Sequence, residues 1–205
     1  MILQQRVLIK KNVAGNEKSF SVAKVILAVL WRIKDGNTQM FIKHPYARYF
    51  CSNKKPVSYR SSLSRLEQYG LIHKENKRLF SLTPIGKKEA LFVFVDIESV
   101  LHVPHMQKWD QGWRIIFFEM PPKKKKFQYF LQNILKRIGF HELLQGVWIY
   151  PYQAPLFLRE LLLDDTLKQY VKSIATSIEH DQDLREIFKL QQRKEKKKSV
   201  LFNLF

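Results

Sequence analysis

Cysteine, glycine and acidic residues are all scarce in this sequence. The single cysteine, Cys51, excludes an internal disulfide framework and fits a reducing cytosol. The seven glycines are scattered, so there is no glycine-rich loop to cradle a phosphate. The N-terminus lacks the apolar core and cleavage site of a signal peptide, and no apolar run is long enough to span a membrane. We therefore expect a soluble, cytoplasmic protein without a membrane partner.

Positive charge is what the sequence has in excess. Lysine and arginine number 36 against 18 acidic residues, for a net charge of +18. Such an excess favours a polyanionic partner, most commonly nucleic acid, although a ribosomal or membrane-surface protein would also be basic. The 205 residues, 45% of them hydrophobic, suffice for the core of one large or two small domains.

The first half of the chain has a pattern of helices followed by a hairpin. Residues 1–20 are mixed and polar, and we expect them to form a flexible arm. Three segments are predicted to be helical from their apolar spacing, caps and stops: residues 22–33, 38–50 and 57–69. Two short apolar segments then flank a polar tip at residues 75–77, which predicts a β-hairpin. This order predicts a winged helix-turn-helix domain over residues 21–90.

The second half of the chain alternates strands and helices. The predicted elements are a strand at 113–120, a helix at 123–138, strands at 143–144 and 147–152, a helix at 155–163 and a strand at 170–178. This βαββαβ order predicts a ferredoxin-like domain over residues 113–190, and so an α+β protein. Residues 91–112 are expected to be a connector, although the apolar residues from Val93 to Val100 fit a helix or a strand equally well. Residues 191–205 form a basic tail.

The third predicted helix carries the side chains best suited to reading DNA. At about 100° per residue, placing Leu63 and Leu66 in the core turns a polar set outward or to the flank. That set is Arg60, Ser61, Ser64, Arg65 and Gln68. Arginine can read guanine and serine can reach a base edge or a phosphate, although an ordinary solvated helix face would look similar. The hairpin adds three cations suited to phosphate contact: Lys74, Lys77 and Arg78.

Two groups of motifs resemble a known family. Residues 61–72 (SSLSRLEQYGLI) and 80–87 (FSLTPIGK) are similar to the winged-helix half of PaaX-type transcriptional repressors. In the second half, the matching motifs are residues 109–121 (WDQGWRIIFFEMP), 135–140 (LKRIGF), 145–152 (QGVWIYPY) and 183–188 (DLREIF). They resemble that family's central domain, which is related to the small CRISPR-associated endonuclease of the Cas-two type. The resemblance implies a DNA-binding repressor that dimerises through its second domain.

Two departures from the family pattern bear on function. The repressors usually carry a further C-terminal domain, where this sequence has only a short basic tail. In the related nucleases an aspartate at the end of the first strand binds a divalent metal across the dimer, and here that residue is Glu119. Glutamate is one methylene longer, and the following lysines repel a cation. Glu119 is therefore either a catalytic acid holding Mg²⁺ or Mn²⁺, or a structural acid beside a helix start.

The remaining candidate sites are basic runs and a histidine pair. Lys123, Lys124, Lys125 and Lys126 either form a solvated first turn or contact phosphate. His102 and His105 have loose metal-ligand spacing, but no second pair accompanies them, which argues against zinc. We expect a repressor that binds double-stranded DNA as a homodimer and needs no cofactor. The alternatives are a metal-dependent CRISPR-associated nuclease, or a non-catalytic scaffold of CRISPR adaptation.

Overall fold

The computed structural model describes residues 20–76, 79–102 and 109–190. The predicted arm up to residue 19, the wing cations Lys77 and Arg78, and the tail at 191–205 lie outside these residues. The described chain combines helices with two antiparallel sheets, which confirms the α+β class. Within these ranges, no helix has both the length and the apolar composition needed to cross a membrane.

The first module comprises residues 20–82 and contains four helices and a small sheet. Its elements are α1 (Val22–Ile33), β1 (Asp35–Gly36), α2 (Thr38–Lys43), α3 (Pro45–Phe50), α4 (Pro56–Gln68), β2 (Ile72–Lys74) and β3 (Phe80–Leu82). Ser21 caps α1 by accepting from the Lys24 amide at 3.4 Å. The aromatic segment divides into α2 and α3 because His44 is extended and Pro45 begins a new helix. Strand β3 lies between β1 and β2, and the predicted hairpin pairs Ile72 with Leu82.

Helix α5 (Pro84–Leu101) corrects the predicted connector. Residues 91–101 continue the helix that begins after its N-cap, Thr83, so the boundary drawn at residue 90 falls inside a regular element. Helix α5 packs against α1 and also against two helices of the second module, α6 (Lys125–Ile138) and α7 (Leu156–Leu162). From Ala90 on, neighbours cover the helix on several sides and most of its residues are apolar, which explains why periodicity did not separate helix from strand.

The second module comprises residues 109–190 and contains a four-stranded sheet. Its strands are β4 (Trp113–Phe118), β5 (His141–Leu144), β6 (Val147–Tyr150) and β7 (Val171–Thr176), and a short helix, α8 (Gln182–Ile187), follows them. The strand order is β5-β6-β4-β7, and all neighbours are antiparallel. Ile116 and Trp148 join the main core with α6 and α7. Trp113 and Ile149 pack with Leu184 of α8 in a separate cluster, so the two faces of the sheet have different coverings.

Polar contacts join the two modules along α5. Arg137 of α6 donates to Asp96 at 2.7 Å and to the Ser99 hydroxyl at 3.1 Å. The same two helices also meet through aromatic rings, since the ring centre of Phe92 on α5 lies 5.3 Å from that of Phe127 on α6. Trp31 of α1 donates its indole N–H to Glu160 of α7 at 3.1 Å. Helix α5 is therefore a shared structural element between the modules.

Candidate nucleic-acid interface

Helix α4 presents the predicted polar face to solvent. All five predicted residues of this helix are exposed: Arg60, Ser61, Ser64, Arg65 and Gln68. Tyr59, Leu63 and Leu66 are buried on the opposite side, and Ser62 is also buried, at 6% exposure. The helical spacing therefore separated the core face from the solvent face correctly.

The start of α4 adds positive charge that the sequence-based set omitted. Lys54 and Lys55 are exposed directly before Pro56, the first residue of the helix. Lys55 makes no side-chain hydrogen bond as the cap, so backbone N–H groups of the first turn point outward with the positive end of the helix dipole. This end of α4 is suited to an anion. A lysine pair immediately before a proline at a helix start is the sequence signal that could have identified it.

A groove of about 640 Å³ separates α4 from the start of α1. Lys54, Ser61 and Arg65 line one side, and Ser21 and Val22 line the other. None of the residues that line this groove is acidic. Arg65 donates from Nε to the Ser61 carbonyl at 3.5 Å, so its side chain lies back along the helix, beside the groove. The groove therefore brings two cations and a hydroxyl together, which suits a phosphate group.

The hairpin contributes Lys74, which is exposed at the end of β2. Its neighbours His73 and Glu75 contact each other, with 2.6 Å between Nε2 and Oε1. A hydrogen bond from Ser81, followed by the interaction with His73, lowers the pKa of Glu75. Glu75 is thus held ionised near the tip and offsets part of the local positive charge. The two further wing cations, Lys77 and Arg78, lie outside the described residues.

The lysine run at the start of α6 divides into two kinds of side chain. A short 3₁₀ turn, Pro122–Lys124, precedes the helix. Lys123, Lys125 and Lys126 are exposed. Lys124 is half-buried, and its Nζ lies 5.4 Å from the ring centre of Phe127 and 5.7 Å from that of Tyr170. Lys124 therefore packs on aromatic rings, whereas the other three lysines are accessible to a phosphate.

Glu119 is an exposed carboxylate just beyond β4. Its backbone N–H donates to the Tyr170 carbonyl at 3.3 Å, which continues the pairing of β4 with β7. Across the described ranges, no three or more His, Cys, Asp or Glu side chains are grouped so that they could hold a metal. One carboxylate is a sparse ligand set for Mg²⁺, which prefers several oxygens. His102 lies with its ring 5.8 Å from that of Phe157, whereas His105 lies outside the described residues.

The sheet of the second module exposes apolar side chains on the face that α8 only partly covers. Phe117 is 37% exposed and Ile174 is 48% exposed. Ile115, which pairs with Ile174, shares this face with them, and so does Val147, which pairs with Phe117. This set of four residues is named the outer sheet face. Exposed neighbouring apolar residues of this kind are typical of a protein–protein contact.

Comparison with known proteins identifies the second module. Residues 106–188 match the model of the family described as the PaaX protein central Cas2-like domain. This chain carries a PaaX-type central Cas2-like domain. The resemblance seen in the motifs between Trp109 and Phe188 is thereby confirmed.

The chain is similar to the solved structure of an uncharacterized protein, Rv0674, from Mycobacterium tuberculosis, with 14% identity and a TM-score of 0.32. The match covers 89% of this chain and 65% of that protein, so this chain spans less than two thirds of its length. No protein with a curated description matches.

Proposed function

We propose that this PaaX-type chain is a cytoplasmic transcriptional regulator that binds double-stranded DNA as a homodimer and acts as a repressor. In this proposal the first module is a winged helix-turn-helix, and the second is a ferredoxin-like dimerisation domain. The observation that carries it is the exposed polar face of α4, which has two arginines and is flanked by Lys54 and Lys55. The PaaX-type family of the second module supports a regulator.

The first module supports the proposal through the position of α4. Its exposed face combines arginines, which can contact guanine, with small hydroxyls and an amide that can approach base edges closely. The helix is 13 residues long, and no acidic residue that would repel a phosphate backbone lies between Lys54, just before it, and Arg65; Glu67 is its one acid. Strand β2 follows it with exposed Lys74. In this arrangement α4 enters the major groove and the hairpin lies along the backbone.

The second module supports a dimer through its outer sheet face. Burying Phe117 and Ile174 against the same residues of a second copy would remove both from water, which is favourable at about 25 cal/mol per Å² of apolar area. A two-fold dimer built on this face would carry two copies of α4. Two α4 helices related by a two-fold axis match an operator with two inverted half-sites.

The test begins with duplexes selected from a random-sequence library by the full chain. Binding of the best duplex and of single-base variants is then measured by fluorescence anisotropy at one salt concentration. Arg65→Ala should weaken the best duplex by about 1–3 kcal/mol and reduce discrimination among the variants. Arg159→Ala is the matched control, because Arg159 is also exposed but lies on α7 and donates to the Ala154 carbonyl.

Two outcomes would contradict the proposal. Equal weakening on every duplex by Arg65→Ala would show that α4 does not read sequence, and failure to select any duplex would remove the DNA-binding function itself. The same duplexes are incubated with Mg²⁺ and Mn²⁺ as an enzymatic control. Cleavage that Glu119→Ala abolishes would identify a nuclease instead.

A further inference from the structure

A cleft of about 480 Å³ opens where the first module meets α5 and α7. Three of its lining residues are aromatic: Trp31 from α1, Phe94 from α5 and Phe157 from α7. Three are charged: Arg32, Glu98 and Glu160. The cleft has the size of a small-molecule site, and it combines ring-lined walls with a few polar groups, as such sites do. It lies apart from the α4 face and from the outer sheet face.

The positive charge in the cleft is already engaged. Arg32 contacts Glu98 at 3.1 Å and donates to the Tyr46 hydroxyl at 3.4 Å. Its guanidinium also lies 5.9 Å from the centre of the Phe94 ring. Tyr46 donates to the same carboxylate. The hydrogen bond with Tyr46, more than the charge of Glu98, raises the pKa of Arg32, so Arg32 stays ionised and bound to these partners.

The negative charge at the other side of the cleft has no cationic partner among the described residues. Glu160 is exposed, and its Oε2 accepts the indole N–H of Trp31 at 3.1 Å. The three charged lining residues have a formal sum of −1, because two carboxylates accompany one guanidinium. An aromatic ring held beside a carboxylate is an arrangement that attracts organic cations, through the ring face and the charge together.

We propose that this cleft binds a small organic amine, with its ammonium group on the exposed Glu160 carboxylate, beside Trp31, and a flat ring against Phe157. Leu156 is 73% exposed beside Phe157 and would cover the apolar part of the ligand. This site goes beyond the proposed DNA binding and does not depend on it. The cleft itself has no role in the proposed DNA binding.

The position of the cleft also predicts a regulatory consequence, and this part rests on the proposed function. A ligand in the cleft touches α1 and α7, so it bridges the DNA-binding module and the second module. Glu98, on its wall, is bound to Tyr46 of α3, the helix that precedes α4. A ligand bound there is therefore expected to change the affinity for the selected duplex, which fluorescence anisotropy with and without tryptamine measures; an unchanged affinity would contradict this coupling but not the amine site.

Isothermal titration of the full chain with tryptamine, and separately with indole-3-acetate, tests the site itself. The two probes share a ring and differ in the sign of their charge. Tryptamine should bind and indole-3-acetate should not. Glu160→Gln should weaken tryptamine about tenfold, which corresponds to about 1.4 kcal/mol. Glu186→Gln, an exposed carboxylate on α8, is the control and should leave tryptamine binding unchanged.

Several results of these titrations would contradict the amine site. Equal binding of both probes, tighter binding of indole-3-acetate, or no tryptamine binding at about 1 mM would overturn the amine site. An equal effect of Glu160→Gln and Glu186→Gln would also overturn it. Circular dichroism checks that the variants are folded. If DNA binding fails while tryptamine still binds, only the proposed function is wrong.

Discussion

Two glycines in the first half of the chain have opposite surroundings. A Cβ added to Gly86 would lie 1.7 Å from the Leu71 carbonyl oxygen, so the first turn of α5 has no room for a side chain there. Gly70 ends α4 with φ +66°, and a Cβ there would have no heavy atom within 4 Å. The first glycine is needed for close packing of two backbone segments, and the second for its left-handed conformation.

This contrast predicts different stability losses for the two alanine variants. Gly86→Ala must push backbone against backbone, and we expect a loss of about 3 kcal/mol in the free energy of unfolding, at the upper end for overpacking. Gly70→Ala should cost about 1–2 kcal/mol, the usual penalty of a left-handed conformation for an L-residue. Urea unfolding of both variants measures the difference. A loss for Gly86→Ala no larger than that for Gly70→Ala would show that Leu71 moves away from the added Cβ at little cost.

Asp181 is a buried carboxylate that joins α8 to the sheet. It is 6% exposed and accepts from the Trp113 indole at 2.9 Å and from Arg185 Nε at 2.7 Å. Burial by itself would raise the pKa of Asp181, but the hydrogen bonds from Arg185 and Trp113 outweigh it, and the pKa lies below its usual value. Its contribution to stability is therefore present above the ordinary aspartate pKa of about 3.9 and is lost as the pH falls through the lower folded value.

Replacing Asp181 by asparagine removes this buried charge but keeps the size of the side chain. At pH 7 this variant should lose about 2 kcal/mol of unfolding free energy, because a charged acceptor is removed from buried donors. The difference from the parent chain should begin to shrink as the pH falls below about 3.9, where the unfolded chain takes up a proton, and should vanish only below the lowered folded pKa, where the folded parent also loses the charge. Urea unfolding at several pH values measures this difference in unfolding free energy. Asp183→Asn, on the exposed first turn of α8, serves as the control and should show less than half of this loss.

At the scale of elements, the four lysines at the start of α6 differ in their surroundings. Lys124 packs on aromatic rings, whereas the other three are exposed. Replacing Lys123, Lys125 and Lys126 by glutamine should weaken DNA binding on all sequences. The slope of log affinity against log salt should fall by about 0.9 for each phosphate that is no longer neutralised. Lys124→Gln should instead lower stability by about 0.5–1 kcal/mol, because its ammonium group no longer packs on the two rings, and should leave the slope unchanged. An unchanged slope in the triple variant would remove these lysines from the interface.

Helices α4 and α5 differ in how well the sequence predicted them. Helix α4 has one solvated face, so its polar and apolar residues separate cleanly, and the helical period alone places Arg60 to Gln68 correctly. Helix α5 buries Leu91, Val95 and Ile97 among several neighbours, so its apolar residues show no single face. Whether such a segment forms a helix or a strand is decided by the elements that pack around it.

At the scale of the whole molecule, the outer sheet face is expected to hold two chains together. Phe117→Glu and Ile174→Glu each place a charge on this face, and the cost of desolvating that charge should shift the chain from dimer to monomer. Analytical ultracentrifugation measures the mass over a range of concentrations. Leu163→Glu is the control, because Leu163 is 76% exposed but lies at the end of α7. A parent chain that is already monomeric, or a dimer that survives both changes, would contradict this role.

The sequence by itself determined the elements whose pattern is local. The cap at Ser21, the polar face of α4 and the βαββαβ order all follow from spacing of a few residues, because helices and strands have fixed periods. Only the tertiary structure decided contacts between distant residues. It set Lys124 on the ring of Tyr170, closed Leu71 against Gly86, and brought Trp31 to Glu160 across 129 positions. Such contacts depend on how whole elements pack, and no local pattern in the chain records them.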